Sequence, residues 1–336
     1  MQAYRKSKLN YIVTGITGHL GNTVVRCLRR RGENIIGLLL PDEKSPFPDI
    51  DIVYGDITEK DSLRELFAYA KDSIVIHCAG KVSISSFDGL EMWNTNVVGT
   101  HNMVDLAMEY GVRKFIYVSS VHAIPEKPNG LGISEITDFR PENVVGDYAK
   151  TKSSATAYVL EAFLKGLPAC IVHPSGIIGP YDPGWGQMSA VLQLYLKKRL
   201  PIGVDGGYDF VDVRDVAKGI VSCCENGKAG ECYILSGHYY SVKTFLELAA
   251  KEVSGQAPRL YLPLKPADSL AALWEKISHK FGKTSVFTPY SLYTLGSNSN
   301  FTHKKASSEL HYTVRDREET VRDMVRWTLM KMKYTV

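Results

Sequence analysis

The sequence predicts an α/β fold in which a doubly wound parallel sheet is followed by a smaller, mostly helical C-terminal lobe. Through the first half of the 336 residues, short apolar runs alternate with amphipathic stretches of helical length. Parallel strands need crossover connections, so this alternation indicates a parallel sheet covered by helices on both faces. Gly32, Gly111 and Gly166 stand just past three of the amphipathic stretches, where glycine commonly ends a helix.

The predicted strands are the short apolar runs. They cover residues 11–13, 35–40, 52–54, 74–77, 115–118 and 169–172, with later runs at 208–213 and 232–235. The predicted helices are the amphipathic stretches. They cover residues 20–31, 62–70, 91–110, 148–164, 188–197 and 316–331. Residues 260–295 show no regular period, and we expect irregular structure there.

Composition argues against several classes of function. The net charge of +4 comes from 40 basic and 36 acidic residues that are scattered along the chain, which does not favour nucleic-acid binding. The six cysteines lack metal-ligand and redox spacing, and no apolar run has the length of a membrane span. The first residues show no secretory apolar core. We therefore expect a reduced, cytoplasmic protein with no metal ion and no membrane or nucleic-acid partner.

A glycine-rich turn, Gly15-Ile16-Thr17-Gly18-His19-Leu20-Gly21, joins the first predicted strand to the first helix. Glycines at this spacing allow a tight turn and a close approach of pyrophosphate to the backbone, and the helix N-terminus favours the negative charge. A glycine-rich turn can also merely link two elements, but the strand before it and the helix after it favour a dinucleotide site.

The residue that discriminates NAD from NADP is expected near the end of the second strand, about 20 residues beyond the glycines. Leu40 occupies that position, and Pro41, Asp42, Glu43 and Lys44 follow it. An apolar residue does not repel a 2′-phosphate, and Lys44 could reach one. The sequence therefore favours NADP slightly over NAD.

Five Tyr-x-x-x-Lys motifs occur, and their context distinguishes them. Only Tyr148 and Lys152 open a predicted helix between the fifth and sixth strands, where residues four apart share one face. A phenol near its usual pKa of about 10 exchanges protons poorly at neutral pH. A neighbouring ammonium is expected to lower that pKa.

Ser119 and Ser120 end the fifth strand, at the sheet edge where ligands bind in open α/β folds. Ser120 could therefore orient a substrate oxygen beside Tyr148. The alternative is a solvated Tyr/Lys helix face and a serine pair that only ends a strand. The agreement of all three positions with the glycine turn favours catalysis.

These motifs together resemble the extended short-chain dehydrogenase/reductase family over nearly the whole chain, with its Rossmann-type sheet. The resemblance implies NAD(P) as cofactor and Ser120, Tyr148 and Lys152 as catalytic residues. It also implies these cofactor-binding residues: Gly15, Thr17, Gly18, His19, Leu20, Asp56, Ile57, Ala79, Gly80, Lys81, Tyr148, Lys152, Pro174, Ser175, Gly176 and Ile177. His173 stands where the family commonly has arginine, and we expect it to pack against the sheet.

Within this family, the chain is most similar to dihydroflavonol reductase and 3β-hydroxysteroid dehydrogenase-like members. Val121-His122 replaces the Asp-Glu pair that sugar dehydratases use after the serine position. Arg259 is the only arginine between Arg214 and Arg315, whereas nucleotide-sugar enzymes usually bind a diphosphate with arginines from this part. The resemblance also implies a homodimer.

The predicted Rossmann domain comprises residues 1–179 with a returning segment, 208–236, and the substrate lobe comprises 180–207 and 237–336. Aromatic residues are frequent in that lobe, and many must be core. The rest favour a pocket for an apolar ketone or alcohol, with Ser120, His122, Tyr181 and Trp185 as substrate contacts. The other residues considered for this pocket are Met188, Trp274, Phe281, Phe287 and Tyr290.

Three functions remain open at this point. The first is a dehydrogenase or reductase of an apolar carbonyl compound. The second is a nucleotide-sugar 4-epimerase, and the third is a non-enzymatic dinucleotide sensor. The complete set of Ser120, Tyr148 and Lys152 favours the first, because a sensor does not need it.

Overall fold

A computed structural model of the chain describes residues 9–84, 87–280 and 286–334. Its strands are β1 Asn10–Thr14, β2 Asn34–Leu39, β3 Asp51–Tyr54, β4 Ile74–His77, β5 Lys114–Val118, β6 Ala169–Pro174, β7 Gly176–Ile178, β8 Ile202–Val204, β9 Gly207–Asp212, β10 Cys232–Leu235, β11 His238–Ser241 and β12 Leu260–Leu262. Its helices are α1 His19–Arg30, α2 Arg64–Phe67, α3 Gly89–Trp93, α4 Gly99–Tyr110, α5 Asp147–Leu164, α6 Gln187–Leu196, α7 Val213–Asn226, α8 Val242–Glu252, α9 Leu264–Lys280, α10 Pro289–Gly296, α11 Lys304–Leu310 and α12 Arg317–Tyr334.

Seven of these strands form one parallel sheet in the order β3-β2-β1-β4-β5-β6-β10. The strand order reverses between β1 and β4, and ligands bind beside such a reversal at the carboxyl ends of the strands. Buried apolar side chains form a separate cluster on each face of this sheet. The predicted doubly wound, Rossmann-type fold is confirmed.

The helices that flank this sheet begin and end close to the predicted positions. Gly111 follows α4 with φ +67°, a left-handed conformation that glycine adopts without a steric penalty. The predicted helix over residues 91–110 is continuous but changes its winding. A π-helical stretch, Asn94–Val98, joins α3 to α4.

The second half of the chain adds two small sheets and several helices. Strands β7 and β9 pair in parallel and β9 pairs with β11 in antiparallel, while β8 pairs with β12. The predicted C-terminal helix is confirmed as α12. None of the helices within the described residues is long and apolar enough to cross a membrane.

The prediction of irregular structure over residues 260–295 is wrong. Helix α9 occupies Leu264–Lys280, and α10 follows after Thr288. The Thr288 side chain accepts a hydrogen bond from the Ser291 N–H, and the Ser291 side chain bonds the Thr288 backbone in return, which is a capping box. The periodicity of α9 was hidden because Leu270 and Leu273 are 58% and 60% exposed, so apolar residues do not mark its buried face.

Candidate active site

The glycine-rich turn has the geometry of a dinucleotide cradle. Gly15 adopts φ +71°, and a Cβ there would lie 2.7 Å from the backbone nitrogen of Ala79. A Cβ at Gly21 would overlap the Gly15 carbonyl oxygen. Within the described residues, no side chain caps the N-terminus of α1 and no acidic residue lies in its first turn. Backbone N–H groups and the positive helix end therefore remain available to a pyrophosphate, so the residues present fit this cofactor.

A cleft of about 600 Å³ runs along the carboxyl edge of β1, β2, β3 and β4. Eight of the predicted cofactor residues line it together: Gly15, Thr17, Gly18, Asp56, Ile57, Ala79, Gly80 and Lys81. The Asp56 carboxylate is held in place, because its Oδ1 accepts hydrogen bonds from both the N–H and the hydroxyl of Thr58, each at 2.8 Å. The structure thus brings the glycine turn and the predicted cofactor residue Asp56 into one site.

Asn96, in the π-helical stretch, fixes the loop after β4. Its Oδ1 accepts from the Lys81 N–H at 2.7 Å, and its Nδ2 donates to the Lys81 carbonyl at 2.9 Å and to Thr151 Oγ1 at 3.0 Å. A Cβ at Gly80 would lie 3.1 Å from Asn96 Oδ1 and 3.3 Å from Lys152 Nζ. The inner end of the cleft therefore reaches the helix that carries Lys152.

Glu43 lines the same cleft at the end of β2. Its Oε1 accepts from the Thr17 hydroxyl at 2.8 Å, and its Oε2 accepts from the Leu40 N–H at 3.0 Å. A carboxylate is thereby tied to the glycine-rich turn, where Leu40 alone had suggested an uncharged surface.

Ser120, Tyr148 and Lys152 converge at the carboxyl end of β5. Ser120 Oγ accepts from the His122 N–H at 3.2 Å, which starts a short 3₁₀ turn, and the Ser120 hydroxyl lies close enough to the Tyr148 phenol to lower the pKa of that phenol. Lys152 Nζ donates to the Val118 carbonyl at 2.9 Å and lies 5.1 Å from the centroid of the Tyr117 ring. The three predicted side chains therefore share one site beside the inner end of the cleft.

The protonation of this site differs from the sequence-based expectation. Burial raises the pKa of Tyr148 to about 12, although its interaction with Ser120 acts in the opposite direction. Burial also lowers the pKa of Lys152 to about 8. The expected lowering of the Tyr148 pKa by Lys152 is wrong for this structure, because desolvation of the phenol outweighs its interaction with Ser120, and Lys152 is not among the groups that shift this pKa. The phenol is protonated at neutral pH.

His122 separates two small cavities beside Tyr148. Its ring stacks on Tyr208 with centroids 5.6 Å apart, and it meets the Tyr148 ring edge-on at 5.9 Å. The larger cavity, about 110 Å³, is mostly apolar, and we call it the apolar cavity. Its lining residues are His122, Gly176, Gln187, Met188, Val191, Val204, Tyr208, Phe210, Val242, Phe287, Ser291, Thr294 and Leu295. The smaller, about 50 Å³, we call the polar cavity, because Glu126, Asn143, Ser297 and Asn298 contribute to its lining.

Two predicted substrate residues lie elsewhere. The Tyr181 ring packs against the Arg26 guanidinium, 4.8 Å from its centroid, and Trp185 packs against Lys331 and Trp327. Neither Tyr181 nor Trp185 is part of the lining of the two cavities, because both side chains are held by cations on neighbouring helices. The side chain of Trp274, and the whole of Phe281, lie outside the described residues.

The remaining predicted cofactor residues have mixed surroundings. His19 Nε2 lies 2.8 Å from the Pro180 carbonyl oxygen, and Leu20 packs against the core. Pro174 ends β6, the buried Ser175 hydroxyl has no hydrogen-bond partner among the described residues, and Ile177 packs against the core. Gly176 instead lines the apolar cavity, and none of these residues is in the lining of the cleft.

His173 is buried in β6, as expected, but it does more than pack against the sheet. Its Nδ1 lies 3.0 Å from the Ser120 carbonyl oxygen, and its ring stacks on Phe139 at 5.3 Å. Burial lowers the pKa of His173 to about 4. The neutral imidazole therefore fixes the backbone that carries Ser120.

Comparison with known proteins identifies the family. The model of the NAD-dependent epimerase/dehydratase family matches residues 11–236. The chain belongs to this family. The predicted resemblance to extended short-chain dehydrogenases/reductases is confirmed, and the family's enzymes use NAD(P) and small-molecule substrates.

The relatives of this chain include proteins named for different activities. The chain is 28% identical to sterol demethylase protein B of Methylococcus capsulatus, in an alignment that covers 94% of this chain and 97% of that protein. It is 28% identical to a putative dihydroflavonol 4-reductase of Synechocystis, over 94% of each chain. It is 27% identical to a UDP-glucose 4-epimerase of Halalkalibacterium halodurans, over 79% of this chain and 87% of that one.

Solved structures agree with the fold. The crystal structure of gox2253 superposes with a TM-score of 0.81 at 30% identity, covering 96% of this chain and 98% of the other. The Bordetella bronchiseptica enzyme WbmH in complex with NAD⁺ superposes with a TM-score of 0.76 at 20% identity, covering 98% of this chain and all of that one.

Sequence reasoning missed three residues of this family site. Asn96 is absent from the predicted site residues, yet it fixes the loop at the cleft. Glu43 stands three residues beyond the position where an acid was sought. Tyr208 lay within a predicted strand, where alternation alone does not distinguish a core tyrosine from one that lines a cavity.

Proposed function

We propose that this protein is an NAD(P)-dependent dehydrogenase/reductase that interconverts a carbonyl and a secondary alcohol on an apolar compound. The observation that carries the proposal is the convergence of Ser120, Tyr148 and Lys152 between the dinucleotide cleft and the apolar cavity. Such a set serves proton exchange with a substrate oxygen, which is what this redox reaction requires.

Each of the three side chains has a role that follows from its surroundings. A bound nicotinamide would supply the two-electron redox chemistry. Tyr148 donates its phenol proton to the substrate oxygen during reduction, since a pKa of about 12 keeps that proton in place at neutral pH. Ser120 orients the same oxygen. Lys152, charged below about pH 8, stabilises the negative charge that develops on the departing phenol.

The cavities favour an apolar substrate. Met188, Val191, Val204, Phe287 and Leu295 are among the apolar residues that line the apolar cavity. Neither arginine nor lysine is among the described residues that line the two cavities, so no cation there awaits a diphosphate. Arg214 and Arg315 are paired with Asp212, Asp323 and Asp215. The names of two relatives, a sterol demethylase protein and a dihydroflavonol reductase, agree with this substrate class.

For the cofactor, we propose NAD in preference to NADP. The Glu43 carboxylate contacts the glycine-rich turn in the cleft, where it can accept from a ribose hydroxyl and would repel a 2′-phosphate. The sequence had favoured NADP because Leu40 carries no charge. The Glu43 carboxylate, which accepts from the Leu40 N–H, supports NAD instead.

The proposal is tested by turnover. The wild-type protein is incubated with NADH or NADPH and a panel of apolar cyclic and aryl ketones, and cofactor oxidation is followed. We expect reduction of at least one ketone and a loss of about 100-fold or more in kcat for Tyr148→Phe. Tyr158→Phe is the matched control, because Tyr158 lies on the same helix and bonds Asp105 instead. Full activity of Tyr148→Phe would refute the mechanism.

The same experiment separates this function from its principal rival. The relative named UDP-glucose 4-epimerase supports a nucleotide-sugar 4-epimerase as the second candidate. An epimerase would interconvert UDP-sugars without net consumption of cofactor and would keep its NAD through dialysis. UDP-sugar interconversion, with no ketone reduced, would replace our proposal. Tight cofactor binding with neither activity would favour a dinucleotide sensor.

A further inference from the structure

His122, Tyr208 and Tyr290, which we call the His122 cluster, bring three polar groups together beside the catalytic tyrosine. The Tyr208 hydroxyl lies 3.4 Å from His122 Nε2, and the Tyr290 hydroxyl lies 3.4 Å from His122 Nδ1. Both distances are long for such hydrogen bonds. The Tyr290 ring also packs on Gly146, just before α5, since a Cβ at that glycine would overlap the ring. The cluster is thus fixed next to Tyr148.

The hydrogens of this cluster do not all find partners within it. A neutral imidazole offers one N–H donor and one bare nitrogen. One phenol can donate to the bare nitrogen while the other accepts from the N–H, which uses two of the three available hydrogens. The phenol that accepts from the imidazole N–H keeps its own hydrogen, which has no partner within the cluster. Since burial raises the pKa of both phenols and lowers that of His122 to about 4, all three groups are uncharged near neutral pH.

When His122 carries its hydrogen on Nε2, Tyr208 accepts from it, and the surplus hydrogen of Tyr208 borders the space that a substrate would occupy. His122 and Tyr208 line both the apolar and the polar cavity. A buried donor with no acceptor carries a desolvation cost, and a substrate oxygen would remove it. The Glu126 carboxylate lines the polar cavity and accepts from Tyr293 at 2.6 Å, so an anion would meet like charge there.

We infer that the His122 cluster binds a second, uncharged oxygen of the substrate. The inference rests on the proposed function and narrows its substrate class. The substrate is an apolar ketone or alcohol that carries a further carbonyl, ether or hydroxyl oxygen near the reacting carbon. A ketone without a second oxygen lacks this contact, and a ketone with a carboxylate in that place is repelled.

The test measures binding rather than turnover. The probes are an unsubstituted decalone, decalindiones with the second carbonyl at successive ring positions, and decalones carrying a carboxylate at the same positions. Isothermal titration is done on the full-length protein saturated with the oxidised cofactor it binds more tightly. A ketone and an oxidised cofactor do not react, so Kd is read without chemistry.

We expect at least one dione to bind about fivefold to tenfold more tightly than the unsubstituted decalone, as one additional hydrogen bond allows. The matching carboxylate should bind at least about tenfold more weakly than that dione. The Tyr208→Phe/Tyr290→Phe double variant should reduce the dione preference at least about threefold. Tyr312→Phe is the matched control, because it removes a buried phenol that bonds the Ser236 carbonyl outside both cavities, and it should keep the preference.

Three results would overturn the inference. The first is that the Kd of every dione lies within about twofold of the Kd of the unsubstituted decalone. The second is that a carboxylate probe binds more tightly than every dione. The third is that the double variant keeps the full dione preference. Thermal unfolding of each variant identifies a loss of folding. These results are independent of catalysis: ketone turnover without a dione preference removes the inference alone, whereas a dione preference without turnover removes the proposed function alone.

Discussion

The cofactor cleft and the substrate cavities are built from different parts of the chain. The cradle of the cleft is formed by the backbone of Gly15, Gly18 and Gly80, which lie in loops after two adjacent strands. The cavities are formed by side chains that are far apart in sequence, such as His122, Tyr208 and Phe287. A backbone site demands particular residue types at fixed spacing, whereas a side-chain site can be assembled from many sequences. A backbone site therefore leaves a recognisable sequence motif, whereas a side-chain site does not.

The largest expected effect comes from adding one methyl group to the backbone site. Gly21→Ala places a Cβ against the Gly15 carbonyl, so the turn must shift. Overpacking of this kind costs about 1–3 kcal/mol, and we expect NAD affinity to fall up to about 100-fold. Titration calorimetry measures it. Gly132→Ala is the control, because a Cβ at Gly132 meets nothing within 4 Å. Equal affinity for both variants would contradict a backbone-built cradle.

The second prediction concerns pH and the boundary between the two regions. Burial lowers the pKa of Lys152 to about 8, so its charge is present below that pH and lost above it. We expect kcat/KM for ketone reduction to fall about tenfold per pH unit well above 8, as loss of one essential proton requires. Tyr148, with a pKa of about 12, does not contribute in this range. A profile that stays level to pH 10 would show that the Lys152 charge is not needed.

The third prediction addresses cofactor choice within the backbone-built cleft. Glu43→Gln keeps the shape of the side chain and removes its charge. We expect the ratio of the Kd for NADP to that for NAD to decrease about fivefold, which corresponds to about 1 kcal/mol of repulsion. Asp42→Asn, a change at the neighbouring exposed acid, serves as the control. An unchanged ratio in Glu43→Gln would leave the preference without an electrostatic cause.

The smallest expected effect belongs to the side-chain region. Val191→Ala enlarges the apolar cavity and should cost about 1–2 kcal/mol of stability. We expect relative kcat/KM for a ketone one methyl group larger to rise about threefold. Leu164→Ala, at a residue that is 81% exposed, controls for the loss of apolar bulk. An unchanged ratio of kcat/KM for the two ketones would show that the body of the substrate does not lie in the apolar cavity.

The positions of the first six strands along the chain and the convergence of Ser120, Tyr148 and Lys152 were predictable from sequence. Apolar runs such as Ile74–His77 report burial on both faces, and the glycine turn and Tyr148-x-x-x-Lys152 occupy the junctions that parallel topology creates. The proton balance was not predictable. The pKa of Tyr148 depends on burial by residues such as Tyr208 and Tyr290, whose positions follow only from tertiary packing.

The substrate side resisted prediction for a physical reason. Tyr181 and Trp185 are aromatic residues of the predicted substrate lobe, which suggested substrate contact. Yet Arg26 and Lys331, supplied by α1 and α12, draw these rings onto other surfaces. Cation–π pairs between residues more than 140 positions apart have no signature in a local window. Likewise, the exposed leucines of α9 concealed a helix.

One feature of the sheet bears on how the chain is synthesised. Strand β6 ends at Pro174, but the strand that covers its open edge, β10, begins only at Cys232. A nascent polypeptide emerging from the ribosome therefore displays an unpaired β6 edge until nearly sixty further residues have been added. If translation stalls between β6 and β10, or if the chain is truncated there, the product has only six strands of this sheet. Its open β6 edge makes it prone to edge-to-edge aggregation. The dinucleotide half is thus not a self-sufficient N-terminal piece.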